Sequence, residues 1–463
     1  MQKIAGKVNQ ATGKNRILCA WDRRLAEQAE KVALWDAQKR ALRTFGGIDG
    51  EALRFQQDFP QGRGICALAV GNDPVLPALL IAAFRSGHVP VIAPEAPEEM
   101  LRALGVDWRI HADGSVQALG ESTLHLPDGC EFLKLTSGTT GSPRAIQFSS
   151  EQLLADCTNV CATMGITDAD LNYGAIPLGH SYGFSNLVTP LLCLGVPMVL
   201  TDDRLPRALL DGLLRTGATV FPGTPALLHA MASLPGAELP EVLRVCISAG
   251  APLTSRTADE FIRQFGRKIH TFYGSSECGG IAYDRNGAPP LQTGFVGEPM
   301  ENVQIEGEAN GRISIRSDAV ALGYWPPGPD EALRERVFRP GDLARRIENG
   351  WLLEGRLTDF INVDGRKFLP QELETVLLAI PGIQAAVVFS VPSRLRGEEV
   401  VACVVANSTP SELAAALAGD LPAWKRPRDW WLVDLLPVSD RGKINRRAFA
   451  ERYLESRMFI APQ

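Results

Sequence analysis

The sequence predicts an α/β protein: a large N-terminal domain of mainly parallel sheets covered by helices, followed by a small α+β C-terminal domain. Two observations carry this expectation. Units of helix, turn and β-rich run recur through the first two-thirds of the chain, which is the pattern of a helix-covered parallel sheet with ligand loops at the carboxyl ends of its strands. After Trp351 the pattern changes to one helix and two long β-rich runs. The length of 463 residues, 45% of them hydrophobic and 22% charged, leaves room for two unequal domains with ordinary cores.

The elements follow in order. The apolar stretches 65–84 and 184–200 are broken by Gly, Asn, Pro or Thr and read as buried core, not as membrane spans. Ala208, Leu209, Leu210, Leu213 and Leu214 make a helical apolar stripe that Gly217 stops, and Thr219-Val220-Phe221 is a β-rich run before Pro222-Gly223. Residues 243–248 read as a buried strand, and Ala258, Phe261, Ile262 and Phe265 as one face of a helix. In the last part Leu373, Val376, Leu377 and Ile380 mark a helix ended by Pro381-Gly382, with β-rich runs at 385–391 and 400–405. A polar helix at 411–419 and a turn at 422–427 lead to a basic tail containing Arg441-Gly442-Lys443.

Composition narrows the function. Lys and Arg number 47 against 53 Asp and Glu, a formal net charge of −6, which argues against nucleic acid or an anionic membrane as partner. The first residues are basic but lack an apolar core for secretion. Nine scattered cysteines without CxxC spacing predict reduced thiols in a cytoplasmic protein, with Cys157 and Cys161 packed on one helix face. Nothing specifies an oligomeric state.

Residues 134–144, Lys-Leu-Thr-Ser-Gly-Thr-Thr-Gly-Ser-Pro-Arg, join glycines, hydroxyls and a terminal cation. Glycines let backbone N–H groups close on a phosphate, hydroxyls add donors, and Arg adds a planar fork. The segment is not the GxxxxGK[ST] loop, because no Lys-Ser or Lys-Thr follows its second Gly. Thr271-Phe272-Tyr273-Gly274-Ser275-Ser276-Glu277 adds an aromatic face, hydroxyls and a carboxylate suited to a base, a phosphate and Mg²⁺. Asp342 follows a Pro-Gly turn, and Gly355-Arg356-Leu357-Thr358-Asp359 follows a β-rich run.

With Gly87-His88-Val89-Pro90-Val91, Pro177-Leu178-Gly179-His180-Ser181-Tyr182-Gly183, Ser248-Ala249-Gly250-Ala251-Pro252-Leu253, Gly294-Phe295-Val296-Gly297-Glu298-Pro299, Gly323-Tyr324-Trp325 and Arg441-Gly442-Lys443-Ile444, these segments stand in one order along nearly the whole chain. The chain thereby resembles the adenylate-forming superfamily of acyl-CoA synthetases, peptide-synthetase adenylation domains and luciferases. The resemblance implies an AMP-binding domain over 1–355, a hinge at 356–359 centred on Thr358, and a small domain over 360–463 carrying a catalytic lysine, Lys443. It implies an acyl-adenylate made from a small carboxylic acid and ATP with Mg²⁺, then a thioester made with coenzyme A.

The resemblance also distributes roles. Thr136, Ser137, Gly138, Thr139, Thr140, Gly141, Arg144, Gly250, Ala251, Pro252, Tyr273, Gly274, Ser275, Ser276, Asp342 and Arg356 fall to ATP and AMP, with Glu277 as the Mg²⁺ ligand. Lys443, Glu277, Thr136 and His180 fall to catalysis, His180 as a pocket wall that turns between half-reactions. Tyr182, Gly183, Asn186, Gly250, Ala251, Cys278, Gly279, Gly280 and Ile281 fall, with His180, to a slim acid pocket. Gly365, Arg366 and Lys367 fall to the thiol tunnel. Aryl, short-chain and medium-chain acids all fit these expectations.

Three departures stand out. Arg144-Ala145 replaces a common Lys-Gly, Thr358 replaces the usual Asp or Lys of the hinge, and no Asp follows His180 to take an amino acid's amine. The rival readings are a ligase that loads the phosphopantetheine of an acyl carrier protein, and a non-catalytic nucleotide-binding regulator. The joint presence of Glu277, Asp342, Arg356 and Lys443 argues against the regulator.

Overall fold

The computed structural model describes residues 14–120, 124, 126, 128–136, 144–289, 292–328, 332–393, 396–417, 421–436 and 445–458. The large domain is built on two large sheets, with a smaller four-stranded antiparallel sheet of Val303–Gly307, Ile313–Ser317, Val337–Phe338 and Leu333–Arg334 beside them. The first has eleven strands, and its centre runs Val32–Asp36, Met198–Leu200, Asn172–Gly174, Val220–Gly223, Val245–Ser248, Ile269–Ser275, each neighbour parallel to the next. Antiparallel strands flank it: Ala41–Thr44 on one side, and Gly279–Tyr283, Phe295–Pro299, Gly350–Arg356 and Asp342–Ile347 on the other.

The second sheet has seven strands, with Phe132–Leu135, Val89–Ile92, Ile65–Leu68 and Trp108–Ile110 parallel at its centre. Its rims are Ala145–Phe148 with Gly323–Trp325 at one end and Val116–Ala118 at the other, all antiparallel. Parallel strands thus fill the centres and antiparallel strands the rims, so the sheets are mixed. The reason is local: Ile269–Ser275 and Gly279–Tyr283 are separated only by Ser276, Glu277 and Cys278, too few residues for a parallel crossover.

The periodicities hold in detail. The stripe around Leu209 is the helix Pro206–Thr216, which buries Leu209, Leu210 and Leu213 and ends at Gly217 with φ of 65°. The helix Ser255–Phe265 buries Ala258 and Phe261. Cys157 and Cys161 are buried in the helix Ser150–Met164, and all nine cysteines are free. Among the described residues no helix is long and apolar enough to cross a membrane.

In the small domain the paired strands Ile383–Ser393 and Gly397–Ala406 carry the helices Pro370–Ala379 and Arg446–Met458. Phe449 and Tyr453 of the last helix pack on Val387, Phe389 and Val401. Arg446 ties the unit together: it donates to both oxygens of Glu374 at 2.7 and 2.9 Å, to Asp359 at 2.9 Å and to the Val388 carbonyl at 2.9 Å. A single turn, Leu357–Asp359, stands between the last strand of the large domain and Ile361–Val363.

Burial pushes the Glu374 carboxyl above its usual range, and Arg446 is the chief group holding it down. A folded-state pKa raised above the unfolded value gives stability that is fullest at acid pH and is lost as pH rises. Arg446→Met removes the counter-charge, and the variant is expected to lose about 3–5 kcal/mol relative to wild type at neutral pH, because an unpaired buried carboxylate remains. The deficit should shrink near about pH 4, where the carboxyl is protonated. Urea denaturation of both proteins at the two pH values checks this, and a deficit independent of pH would contradict it.

Candidate functional site

The segments singled out in the sequence converge because they leave the carboxyl ends of neighbouring parallel strands. Asn172–Gly174 leads to His180, Val245–Ser248 to Gly250, Ile269–Ser275 to Glu277, and, in the second sheet, Phe132–Leu135 to Thr136. Two of these segments touch directly, since the Ser181 hydroxyl donates to that of Ser276 at 2.8 Å.

Thr136 and Arg144 close the base of the loop between Phe132–Leu135 and Ala145–Phe148. The Thr136 N–H and hydroxyl both donate to the Arg144 carbonyl, at 3.2 and 3.0 Å. Ser137, Gly138, Thr139, Thr140, Gly141 and the basic Lys443 lie outside the described residues. The Arg144 guanidinium lies over the Tyr324 ring, 4.3 Å from its centre, and the Tyr324 hydroxyl donates to Glu277 Oε1 at 3.1 Å. Glu277 is half-buried, and its turn is fixed by Glu277 N–H to the Ser275 hydroxyl and by Ala321 N–H to the Glu277 carbonyl.

A second carboxylate, Asp342, accepts from the Tyr273 hydroxyl at 2.7 Å and from Arg356 Nε at 2.9 Å. Asp342 and Arg356 are direct partners across the antiparallel pair of Asp342–Ile347 with Gly350–Arg356. Burial, and then Asp342, pushes the Tyr273 phenol well above its usual range, so it stays a donor. Tyr273 was expected to offer an aromatic face; the structure buries it and commits its hydroxyl to Asp342. Gly274 is exposed, and Ser275 and Ser276 are half-buried beside it.

The expected pocket residues divide into two groups. Tyr182 donates to the Gly223 carbonyl at 3.3 Å and packs against Phe272, Asn186 donates to the Tyr182 carbonyl, and His180 precedes the short turn Ser181–Gly183 half-buried. Gly250 and Pro252 are exposed and Ala251 half-buried. Cys278, Gly279, Gly280 and Ile281 lie beneath the Glu277 turn, fully buried, and burial pushes the Cys278 thiol up, out of reach of thiolate chemistry.

Gly279 and Gly280 offer no free space for a side chain. A Cβ at Gly279, whose φ is 69°, would meet the Asp156 carboxylate; at Gly280 it would come 2.5 Å from Met300 Sδ and 2.9 Å from Val160. Both glycines are therefore close-packing positions on the side a Cβ would take.

Asp156 went unnoticed in the sequence. It is 3% exposed, accepts from the Ser185 hydroxyl at 2.5 Å and from Gly280 N–H at 2.9 Å, and so joins the helix Ser150–Met164 to the pocket segment and the Glu277 turn. The available signal was an acid set among Leu153, Cys157, Val160 and Cys161, the buried face of that helix. Lys134, also buried, points its ammonium at the faces of Phe148 and Phe184, 4.6 and 5.3 Å from the ring centres. Burial pulls this ammonium below its usual range, with Asp156 chief among the groups opposing the fall.

Gly365 occupies a two-residue turn between Ile361–Val363 and Arg366–Phe368, with Asp364 at φ 53° and Gly365 at 79°, as a type I′ hairpin requires. Arg366 and Lys367 are exposed, as is Thr358, whose hydroxyl donates to Asp359 at 3.1 Å. Among the described residues no hydrogen bond joins Gly365, Arg366 or Lys367 to Glu277 or Asp342.

Residues 99–325 match the family model described as AMP-binding enzyme, and residues 372–443 match the AMP-binding enzyme C-terminal domain. Among curated relatives, the oxalate–CoA ligase of Saccharomyces cerevisiae is 30% identical over 345 residues, 69% of this chain. The chain spans only 63% of that relative's own length. The oxalate–CoA ligase of Arabidopsis thaliana is 28% identical over 414 residues, 83% of this chain and 78% of the relative. The ATP-bound crystal structure of MatB from Rhodopseudomonas palustris superposes with a TM-score of 0.82, at 21% identity, over 95% of this chain and 98% of that one.

The packing at Gly280 yields a prediction. Gly280→Ala should lower stability by about 1–3 kcal/mol, because Met300 and Val160 must move aside. A denaturation midpoint equal to wild type would show that this floor is looser than its distances imply.

Proposed function

Because the chain belongs to the adenylate-forming superfamily of AMP-binding enzymes, we propose that it is an acid–thiol ligase, activating a small carboxylic acid with ATP and passing the acyl group to coenzyme A. The observation that carries the reading is the pair of differently held carboxylates. Asp342 is gripped by Tyr273 and Arg356, whereas among the described residues Glu277's side chain accepts one bond, from Tyr324, on a single oxygen. One is built to read a neutral polar group, the other to receive a cation.

An acid substrate is an anion at neutral pH and needs no general base. The difficulty is that it must approach a triphosphate. Arg144 and the donors of 136–141 would neutralise the phosphates, and Lys443 would stand between the acid and the α-phosphate. The acid oxygen bonds to the α-phosphorus as pyrophosphate leaves; the thiol sulfur then bonds to the acyl carbon, AMP leaves, and the thiol proton passes to solvent. Each Asp342 oxygen keeps a lone pair beyond those taken by Tyr273 and Arg356, enough to accept both ribose hydroxyls.

Glu277 fits Mg²⁺: its Oε2 has no partner among the described residues, and these hold no cluster of three metal-ligating side chains. Such a site suits an ion bound by one carboxylate and the substrate's own phosphates. When bound, the ion would spread the phosphate charge. Thr358, exposed between anchored neighbours, is the pivot that would exchange Lys443 for the Gly365 turn between half-reactions. The names of the relatives support coenzyme A as the thiol.

The test is pyrophosphate release across a panel of acids, with coenzyme A and with a carrier protein as acceptor. AMP and pyrophosphate are the expected products, with coenzyme A preferred; ADP as the main product would overturn the proposal. Nucleotide binding without release for any acid would favour the regulator. Asp342→Ala should weaken ATP binding strongly, since each charge-assisted hydrogen bond is worth about 1.5–3 kcal/mol. Wild-type affinity by calorimetry in a folded variant would remove Asp342 from the site.

A further inference from the structure

We propose that Tyr324 is a positioning residue of the nucleotide site, holding Arg144 on its ring face and Glu277 on its hydroxyl. The loop cation and the metal-holding carboxylate then keep a set spacing before nucleotide arrives. The inference rests on the ligase reading above and extends it to a residue outside the phosphate loop and the Glu277 turn.

The tyrosine is held from both sides. Its strand, Gly323–Trp325, pairs antiparallel with Ala145–Phe148, Tyr324 opposite Ile146 and Trp325 opposite Ala145. Gln147 donates its amide to the Tyr324 carbonyl at 2.8 Å, and Leu322 N–H donates to the Gln147 carbonyl at 2.9 Å. The next residue, Trp325, is 1% exposed and donates to the Leu104 carbonyl at 2.7 Å. Three residues before Tyr324, Ala321 N–H donates to the Glu277 carbonyl. The strand that carries Tyr324 is thus bonded to the hairpin that carries Arg144 and to the turn that carries Glu277.

The chemistry of a phenol suits this place. Its hydroxyl donates to a carboxylate without protonating it, and its ring face attracts a cation without neutralising it. The tyrosine itself thus cancels neither charge. The planar fork of Arg stacks flat on such a ring, whereas a Lys ammonium makes a point contact. The Arg that replaces the common Lys at position 144 therefore has its support in Tyr324.

The experiment compares wild type, Tyr324→Phe, Tyr324→Leu, Arg144→Lys and the Arg144→Lys/Tyr324→Leu double variant. Calorimetry with Mg²⁺ measures ATP and, separately, AMP, which lacks the β- and γ-phosphates. The Mg²⁺ requirement of acid-dependent exchange of pyrophosphate into ATP is measured alongside. Tyr324→Leu is expected to weaken ATP about tenfold and AMP less than about twofold. Tyr324→Phe, which keeps the ring and the packing, should hold ATP affinity within about threefold yet raise the half-saturating Mg²⁺ by about threefold or more. Loss of the ring should add little once Arg144 is Lys.

Equal losses for ATP and AMP in Tyr324→Leu, an unmoved Mg²⁺ midpoint in Tyr324→Phe, or additive effects in the double variant would each overturn the proposal. A wild-type protein that binds no nucleotide sinks the ligase reading and this proposal with it. A wild-type protein that binds and exchanges normally, with unresponsive Tyr324 variants, sinks this proposal alone.

Discussion

A carboxylate buried to the depth of Asp156 must have partners, and those partners organise the site. A buried acid with an unmet lone pair costs more than most single interactions contribute, so the groups that satisfy it cannot drift. Here they are the Ser185 hydroxyl and the Gly280 N–H, which belong to the pocket segment and to the floor of the Glu277 turn. Lys134, the buried cation whose charge Asp156 favours, lies on the strand that runs into Thr136. Two segments far apart in sequence are therefore fastened to the helix Ser150–Met164 by one carboxylate, and Gly279 must lack a side chain to let it in.

Most of the scaffold was legible because its elements announce themselves locally. The helix Pro206–Thr216 ends where Gly217 stands, and the small domain's helix and strand pair lie where periodicity puts them. The antiparallel rims were not legible, because whether two strands pair across a three-residue turn depends on turn length rather than on strand pattern. On the motif loops, Glu277, Asp342 and Arg356 were singled out by their chemistry, and the structure pairs the last two directly. Asp156 was not, since its bond to Gly280 spans 124 residues and nothing near it in sequence hints at the partner. The close packing at Gly280 was hidden for a related reason: only the direction of its absent side chain shows that Met300 stands beside it.

The two sheets also share the work of holding charge. The first supplies Glu277, Tyr273 and Asp342 from its antiparallel side, and the second supplies Thr136, Arg144 and Tyr324 from its rim. These groups are hydrogen-bond donors, acceptors and fixed charges. That would suit the proposed reaction, which brings like charges together and gains more from preorganised dipoles than from proton transfer.

The rung formed by Asp342 and Arg356 has a mechanical meaning. Arg356 ends its strand, and the next turn is fastened to the large domain by Leu357 N–H on the Gly341 carbonyl and to the small domain by Asp359 on Arg446. Torque applied to the small domain through Arg446 travels three residues along the backbone to the guanidinium that grips Asp342. The carboxylate of Asp342 is thus coupled, through one short run of backbone, to the salt bridge that anchors the small domain.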